Sequence, residues 1–306
     1  MVQSGILPLY KPAGYTSFDL VVQARRWFKT KEIGHAGTLD PSVTGVLLIC
    51  VGRATKLVPI LMEQKKAYDG VAALGEATTT EDREGDVIAH ASIERVPSQA
   101  DIDQAIANFN GTLQQVPPMY SAVKVKGKRL YEYARAGETV DRPVRTVTIY
   151  DMKRNGEVVE TSSGHVHVPF SVTCSKGTYV RTLAVDLGKA LGFPAHLHQL
   201  TRTMSAGITD AHCVTVEDME MASERGNADE KLLRVDDVLQ DIQHVEVPLP
   251  IANQVKNGAV FQADLFPDAK RMVLTHQGQM LAVYKQHENK PGKIKPEVML
   301  VIKEQP

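Results

Sequence analysis

An α+β fold is predicted for this chain, a large mixed domain followed by a small all-β module, and three observations carry that expectation. Helical and strand-like apolar spacings are interspersed without a regular strand–helix–strand alternation. The length, 306 residues, is about twice that of a typical single domain. Two prolines, Pro248 and Pro250, separate an acidic stretch from a set of short β-favouring runs and are expected to break any helix there. With 43% hydrophobic and 23% charged residues the composition is globular, which excludes disorder, collagen and coiled coil.

The elements follow in order. Ser17 stands as a capping hydroxyl before Leu20, Val21, Ala24, Trp27 and Phe28, which share one face at helical spacing. The apolar run from Val46 to Val51, closed by Gly52, predicts a strand, as do the stretches from Tyr68 to Leu74 and from Arg145 to Met152. Ser98 is placed to cap a helix that buries Ile102, Ile106 and Phe109. A strand from about His165 to Cys174, then a Ser-Lys-Gly turn, leads into a helix with Val180, Leu183, Ala184, Leu187 and Leu191 inward, stopped by Gly192. The acidic stretch from Val216 to Ile242 reads as helical. Beyond the prolines, the runs from Arg271 to Leu274 and from Met280 to Tyr284 alternate with Gly and Asn turns, a module too small to be stable without packing on its neighbour.

Lysine plus arginine (35) nearly cancels aspartate plus glutamate (36), but the charge is unevenly spread. Residues 1–70 carry about +4, 71–119 about −6, 120–154 about +5, 170–205 about +3, 206–246 about −8 and 247–306 about +3. Several basic stretches on one face would make a track for a polyanion. No apolar run approaches the roughly 20 residues that span a bilayer, and Met1 to Leu9 lacks the pattern of a signal peptide, so a cytoplasmic protein is expected. Cys50, Cys174 and Cys213 are odd in number and far apart, which predicts free thiols.

The chain has no Gly-Lys-Ser/Thr phosphate loop, no Gly-x-Gly-x-x-Gly after a strand and no zinc-spaced cluster, so no cofactor is predicted. The close pairs His165 with His167 and His196 with His198 lack further ligands nearby in sequence, and no metal is assigned. The densest stretch runs Gly34-His35-Ala36-Gly37-Thr38-Leu39-Asp40-Pro41-Ser42-Val43-Thr44-Gly45. Its carboxylate could stand in a cleft; equally, Asp followed by Pro is a common helix start, with Asp as the cap. Lys65-Lys66-Ala67-Tyr68 reads either as part of a site or as a snorkelling edge, and Tyr179 and Arg181 flank the start of the predicted helix.

Together these blocks resemble the bacterial tRNA pseudouridine-55 synthases, the TruB family. Lys11-Pro-Ala-Gly-Tyr-Thr-Ser17 is similar to its first motif and residues 34–45 to its catalytic loop. Gln115-Val-Pro-Pro-Met-Tyr-Ser-Ala-Val-Lys124, with Gly127 and Tyr131-Glu-Tyr-Ala-Arg135, resembles the approach to an RNA-gripping insertion, and Cys174 to Arg181 and Leu197 to Gly207 resemble the remaining motifs. Val43, usually alanine in the family, and Thr201, often arginine, depart from the pattern. The resemblance implies a catalytic domain of the pseudouridine synthase type over residues 1–243, with a mixed, largely antiparallel sheet and an insertion at about 124–154. It also implies a PUA-like RNA-binding module over 244–306, resting only on Asn257-Gly258 and Pro296-Glu297-Val298.

The implied reaction turns a uridine of the tRNA T-stem-loop into pseudouridine, with no atom gained or lost and so no cofactor, in a chain that works as a monomer. Asp40 matches the family's nucleophilic carboxylate and Arg181 the arginine that pairs with it, since an anion in a water-poor cleft needs an opposite charge nearby. Tyr68 matches the aromatic that stacks on the target base and is a candidate for proton transfer at C5. Tyr179 and Leu200 match other pocket walls, Lys11 a support of the catalytic loop, and His35 the residue that fills space around a displaced nucleotide. Lys124, Lys126, Lys128, Arg129, Arg142 and Arg145 supply a grip on phosphate. Two rivals stand beside this reading: the same chemistry on another RNA, and an RNA-binding or folding protein whose Asp40 is structural.

Overall fold

The computed structural model describes residues 4–301. Residues 1–3, part of the stretch examined for a signal peptide, and 302–306, the end of the expected terminal module, lie outside the described residues. Strand β1 (Gly5–Lys11) leads through helix α1 (Ser17–Trp27) to β2 (Ile33–His35) and β3 (Thr44–Val51). Helix α2 (Val58–Glu63) precedes β4 (Lys66–Leu74), and a hairpin of β5 (Glu76–Thr78) and β6 (Val87–His90) follows. Next come α3 (Gln99–Ala107), β7 (Gly111–Gln115), a small hairpin of β8 (Lys124–Val125) and β9 (Lys128–Arg129), and α4 (Leu130–Arg135). Then β10 (Arg145–Arg154), β11 (Val159–Glu160) and β12 (Val166–Cys174) lead to α5 (Val180–Leu191), β13 (Ala195–Ser205), β14 (Ile208–Thr209), α6 (Val216–Arg225) and α7 (Val235–Val238). The chain continues through β15 (Gln243–Glu246), α8 (Leu249–Lys256), β16 (Phe261–Gln262), β17 (Arg271–His276), β18 (Gln279–Gln286) and β19 (Lys293–Met299).

A 10-stranded sheet has the spine β1-β3-β13-β4-β12-β10-β7, with β2, β14 and β11 added on β3, β13 and β12. Its pairings are antiparallel except where β13 meets β3 in parallel, at Thr201 with Thr44 and Arg202 with Gly45. The α+β class and the mixed, largely antiparallel sheet are therefore present. Strand β12 shows why the pattern was legible: Val166, Val168, Phe170, Val172 and Cys174 are buried and alternate with half-buried neighbours. Helix α5 lays Leu183, Ala184 and Leu187 on that face and ends at Gly192. Helix α3 is capped by Ser98, as expected.

A second, 5-stranded sheet, β15-β17-β18-β19-β16, packs Val273, Val283 and Val298 against Val46, Leu48 and Ile60 of the larger part. Arg271 adds an ion pair across that seam, 3.0 Å from Glu63.

Three local expectations are corrected. Thr16, not Ser17, caps α1, in a reciprocal box with Asp19, which frees the Ser17 hydroxyl to accept from the Leu39 amide in the loop after β2. The acidic stretch is no single helix: α6 stops at Gly226, where a left-handed residue ends it, and only a short 3-10 turn and the one-turn helix α7 follow before β15. Pro248 and Pro250 start a helix instead of breaking one, because Pro248 caps α8 and Pro250 falls in its first turn, where no backbone donor is needed.

Gly45 is where the loop after β2 enters the sheet. Its φ is +105°, and a Cβ there would lie 2.2 Å from the Arg202 carbonyl oxygen. Gly45→Ala is expected to cost at least about 3 kcal/mol of stability, from strain plus forced separation of β3 and β13. Urea unfolding checks this; an unchanged midpoint would show that the two strands part freely.

Candidate active site

The loop between β2 and β3 holds Asp40 by several independent ties. The Val43 amide donates to the Asp40 carbonyl at 3.1 Å and closes a turn, so the helix-cap alternative for Asp-Pro is corrected: no helix follows, and β3 begins at Thr44. The Ser17 hydroxyl accepts from the Leu39 amide at 2.9 Å, and the Gly14 amide donates to the Pro41 carbonyl at 2.9 Å. Fully buried Lys11 donates its Nζ to the carbonyls of Pro12 (2.9 Å) and Pro41 (3.0 Å). Val43 is buried in one core cluster with Leu39, so the departure from alanine is absorbed by packing.

Arg181, in the first turn of α5, reaches the same place from 141 positions further along the chain. Its Nη2 lies 3.1 Å from Asp40 Oδ2, and its Nη1 3.3 Å from Asp82 Oδ2. It also donates to the carbonyls of Thr80 (2.9 Å, Nη1) and Tyr120 (2.9 Å, Nη2). The exposures decide the roles: the Arg181 side chain is 9% exposed and Asp82 16%, while Asp40 is 44% exposed. One guanidinium thus neutralises a sheltered carboxylate and steadies an accessible one, and Asp40 is the anion with room to meet a ligand.

Asp40 and Arg181 line a cleft of about 1010 Å³ together with Tyr68, Arg145, Tyr179 and Leu200, so six of the expected residues converge. Tyr68 is nearly buried on β4; loss of water pushes its phenol pKa up, with the Arg202 guanidinium acting the other way. Tyr179 is gripped at the backbone, where Gln115 donates to its carbonyl at 3.0 Å and accepts from its amide at 2.7 Å.

Seven expected residues stand outside the cleft lining: Lys11 beneath the loop, and His35, Lys124, Lys126, Lys128, Arg129 and Arg142. His35 lies on β2, its Nδ1 buried without a hydrogen-bond partner among the described residues, and burial lowers its pKa. Lys124 and Lys126 stand on or at the turn of the β8–β9 hairpin, exposed and paired with no carboxylate among the described residues. Arg142 turns inward enough to donate to the Pro117 carbonyl (3.1 Å) and to lie 3.8 Å from Glu81. From Arg145 onward the expected insertion is strand β10 of the main sheet, so only residues 124–144 stand apart from it.

Asp82, Arg202 and Gln115 were not among the expected site residues, and Lys66 was weighed only as one of a stretch. Arg202 is 1% exposed and donates to the carbonyls of Val46 (2.7 Å) and Gly37 (3.1 Å), bracing the loop from below. Lys66 is buried and donates to the Met62 (2.9 Å) and Gln64 (3.0 Å) carbonyls, which corrects the snorkelling reading; Lys65 is the outward member, over the Tyr150 ring. Asp82 sits in a polar turn that looks like any solvated loop, and no local signal could have found it. The three cysteines are free thiols, and burial pushes Cys50 and Cys213 up to about 12 and Cys174 to about 11.

Burial lowers Lys11 and Lys66 from 10.5 to about 8. The folded chain therefore holds these protons less tightly than the unfolded chain, and their cost is relieved as pH rises from about 8 to 10.5. The buried thiols and Tyr68 act oppositely, so a comparison isolates the lysine: wild type should gain on Lys66→Met across that window by up to roughly 3 kcal/mol. Urea unfolding at both ends checks it, and a constant gap would mean that Lys66 keeps its ordinary affinity for protons.

No helix among the described residues is long and apolar enough to cross a membrane. Residues 25–180 match the TruB family pseudouridylate synthase (N terminal domain), and residues 181–245 match the tRNA pseudouridylate synthase B C-terminal domain. A tRNA pseudouridine synthase B of Halalkalibacterium halodurans is 48% identical over 300 residues, covering 98% of each chain. The protein of that name from Levilactobacillus brevis is 47% identical over 291 residues, 94% of this chain and 96% of the relative. A chain in the crystal structure of a Cbf5-Nop10-Gar1 complex superposes with a TM-score of 0.70 at 25% identity, over 99% of this chain and 85% of that one. With two family domains matched in succession and relatives this similar over nearly the whole length, the chain belongs to the TruB family of pseudouridylate synthases.

Proposed function

We propose that this protein is an isomerase that converts uridine 55, in the T-loop of tRNA, to pseudouridine, with Asp40 as the attacking carboxylate. The observation that carries it is the Asp40–Arg181–Asp82 arrangement at a cleft walled by Tyr68, Tyr179 and Leu200, an accessible carboxylate beside a hollow with ample room for a flipped-out nucleotide. The N1–C1′ bond breaks, the base turns, and a C5–C1′ bond forms while C5 loses a proton and N1 gains one. Whether the carboxylate attacks C1′, attacks C6 or abstracts a sugar proton, all three routes need the same anion in the same place. The printed names of the relatives support tRNA as the substrate.

A base inside a folded loop must flip out, at a cost of a few kcal/mol, and stacking on Tyr68 at ~1–3 kcal/mol offsets part of it. Lys124 and Lys126 on the exposed hairpin, with Arg145 at the cleft rim, supply cations toward phosphate. The division at 243/244, with the terminal sheet as a PUA-like module that also contacts RNA, belongs to the same proposal, as do the monomeric state and a cytoplasmic location.

Purified protein incubated with an unmodified tRNA transcript, and with its free T-stem-loop, should leave a carbodiimide-detectable pseudouridine at that one uridine. Modification of ribosomal RNA but not of the stem-loop would overturn the substrate. Tyr68→Leu should lower turnover by about 10²–10⁴ while tRNA capture changes less than about tenfold; equal losses in both would remove Tyr68 from the base.

A further inference from the structure

Five of the chain's ten histidines form two ring-to-ring groups, His167 with His196 and His198, and His90 with His165, the latter pair at the end of the main sheet opposite the cleft. The cleft lies beyond Cys174 at one end of β12, and His165 precedes Val166 at the other, a strand length on the order of 25 Å away. Glu76 and His90 are cross-strand partners at the base of the β5–β6 hairpin. His165 Nε2 lies 3.3 Å from Glu76 Oε1, and His90 Nδ1 lies 3.6 Å from the same oxygen. The three donor atoms all fall within 4.8 Å of one another.

These spacings are those of a ligand set. Zinc bonds of about 2.0–2.1 Å in tetrahedral geometry place neighbouring donors roughly 3.4 Å apart, which two of the three edges already approach. The third closes by rotation of His90, whose side chain is 57% exposed and free to turn. The other two ligands are held. Gly75 has a φ of +112°, and a Cβ there would come within 3.1 Å of His165 Cδ2, so its lack of a side chain makes room for the ring. Ser163 Oγ lies 3.4 Å from His165 Nδ1, which leaves Nε2 for Glu76, and His196 Nδ1 is 2.9 Å from the Glu76 carbonyl oxygen. Two imidazoles and one carboxylate suit zinc-type ions over magnesium or calcium, with a fourth position for water.

We propose that Glu76, His90 and His165 bind a divalent transition-metal ion of the zinc type, which staples the base of the β5–β6 hairpin to the start of β12. The hairpin's other end carries Thr80, Glu81 and Asp82, the residues that hold Arg181 and Thr182. The ion thus braces the support of the catalytic carboxylate from a distance and takes no part in the reaction.

The test titrates the full chain, without an affinity tag and stripped by chelator, with Co²⁺ at neutral pH, following visible absorption and displacement by Zn²⁺. About one ion per chain should bind. Affinity should fall at least about tenfold in His90→Ala and in His165→Ala, and about tenfold in Ser163→Ala. Zn²⁺ should also slow amide exchange in residues 76–90 of wild type but not of His90→Ala, a surface change that leaves the fold intact. Unchanged affinity in His90→Ala, absence of binding, or loss confined to His167→Ala and His198→Ala would each overturn the assignment.

Discussion

Asp40→Asn is expected to lower pseudouridine formation by at least about 10⁴-fold while tRNA affinity changes less than about threefold. The substitution keeps the size of the side chain and leaves the Val43-to-Asp40 turn intact, because that bond uses the Asp40 carbonyl of the backbone. What disappears is the anion, and an amide neither attacks a carbon centre nor takes a proton under these conditions. Arg181 keeps Asp82 and two carbonyl acceptors, so it is not left unpaired and the fold survives. Carbodiimide mapping of tRNA after a single-turnover incubation, beside filter binding of the same tRNA, separates the two effects. Retained turnover would reduce Asp40 to a turn residue. A side chain facing the protein interior would have made the same point, but this one is 44% exposed at the cleft.

Arg181 carries the second large effect. Its guanidinium makes four contacts in two directions, to Asp40, Asp82, Thr80 and Tyr120, and only a planar fork meets them together. Arg181→Lys keeps the charge but places it at one point, so one of the two carboxylates loses its partner. Turnover should fall by about 10²–10³-fold with a modest loss of stability. Arg181→Met removes the charge, strands the sheltered Asp82 carboxylate, takes the donor from two carbonyls, and should cost about 3 kcal/mol of stability. Asp82→Asn, which leaves Arg181 to Asp40 alone, tests the shared clamp from its other side. If Arg181→Met unfolded at the wild-type urea concentration, the pair would be a surface contact and the account of the cleft would fail.

The elements were legible where burial follows a local rhythm. Strand β12 alternates because one face meets α5, and α5 shows its apolar stripe because it lies on that face. Legibility failed where two local rules compete: the acidic stretch has helical composition but is cut by Gly226, and a proline that would break a helix interior is accommodated in the first turn of α8. The site divides in the same way. Asp40, Arg181, Tyr68, Tyr179 and Leu200 were reached through the resemblance of ordered motifs, because Asp40 alone reads equally as a helix cap and Tyr68 belongs to a stretch that reads equally as an edge. Asp82 carries no motif, and although Gln115, Arg202 and Lys66 lie in stretches that stood out, nothing local singles out their side chains; all four roles exist only as contacts.

By itself, then, the order of residues determined the α+β class, most strands and helices, the three free thiols and the family. Tertiary structure alone decided that Arg181 is shared by two carboxylates, that Lys66 is buried, and that Glu76, His90 and His165 meet. Periodicity is a property of contiguous chain, whereas the pairing of a charge is set by which strands neighbour each other in the sheet. That order brings residues about a hundred positions apart to within about 3 Å, the reach of a hydrogen bond.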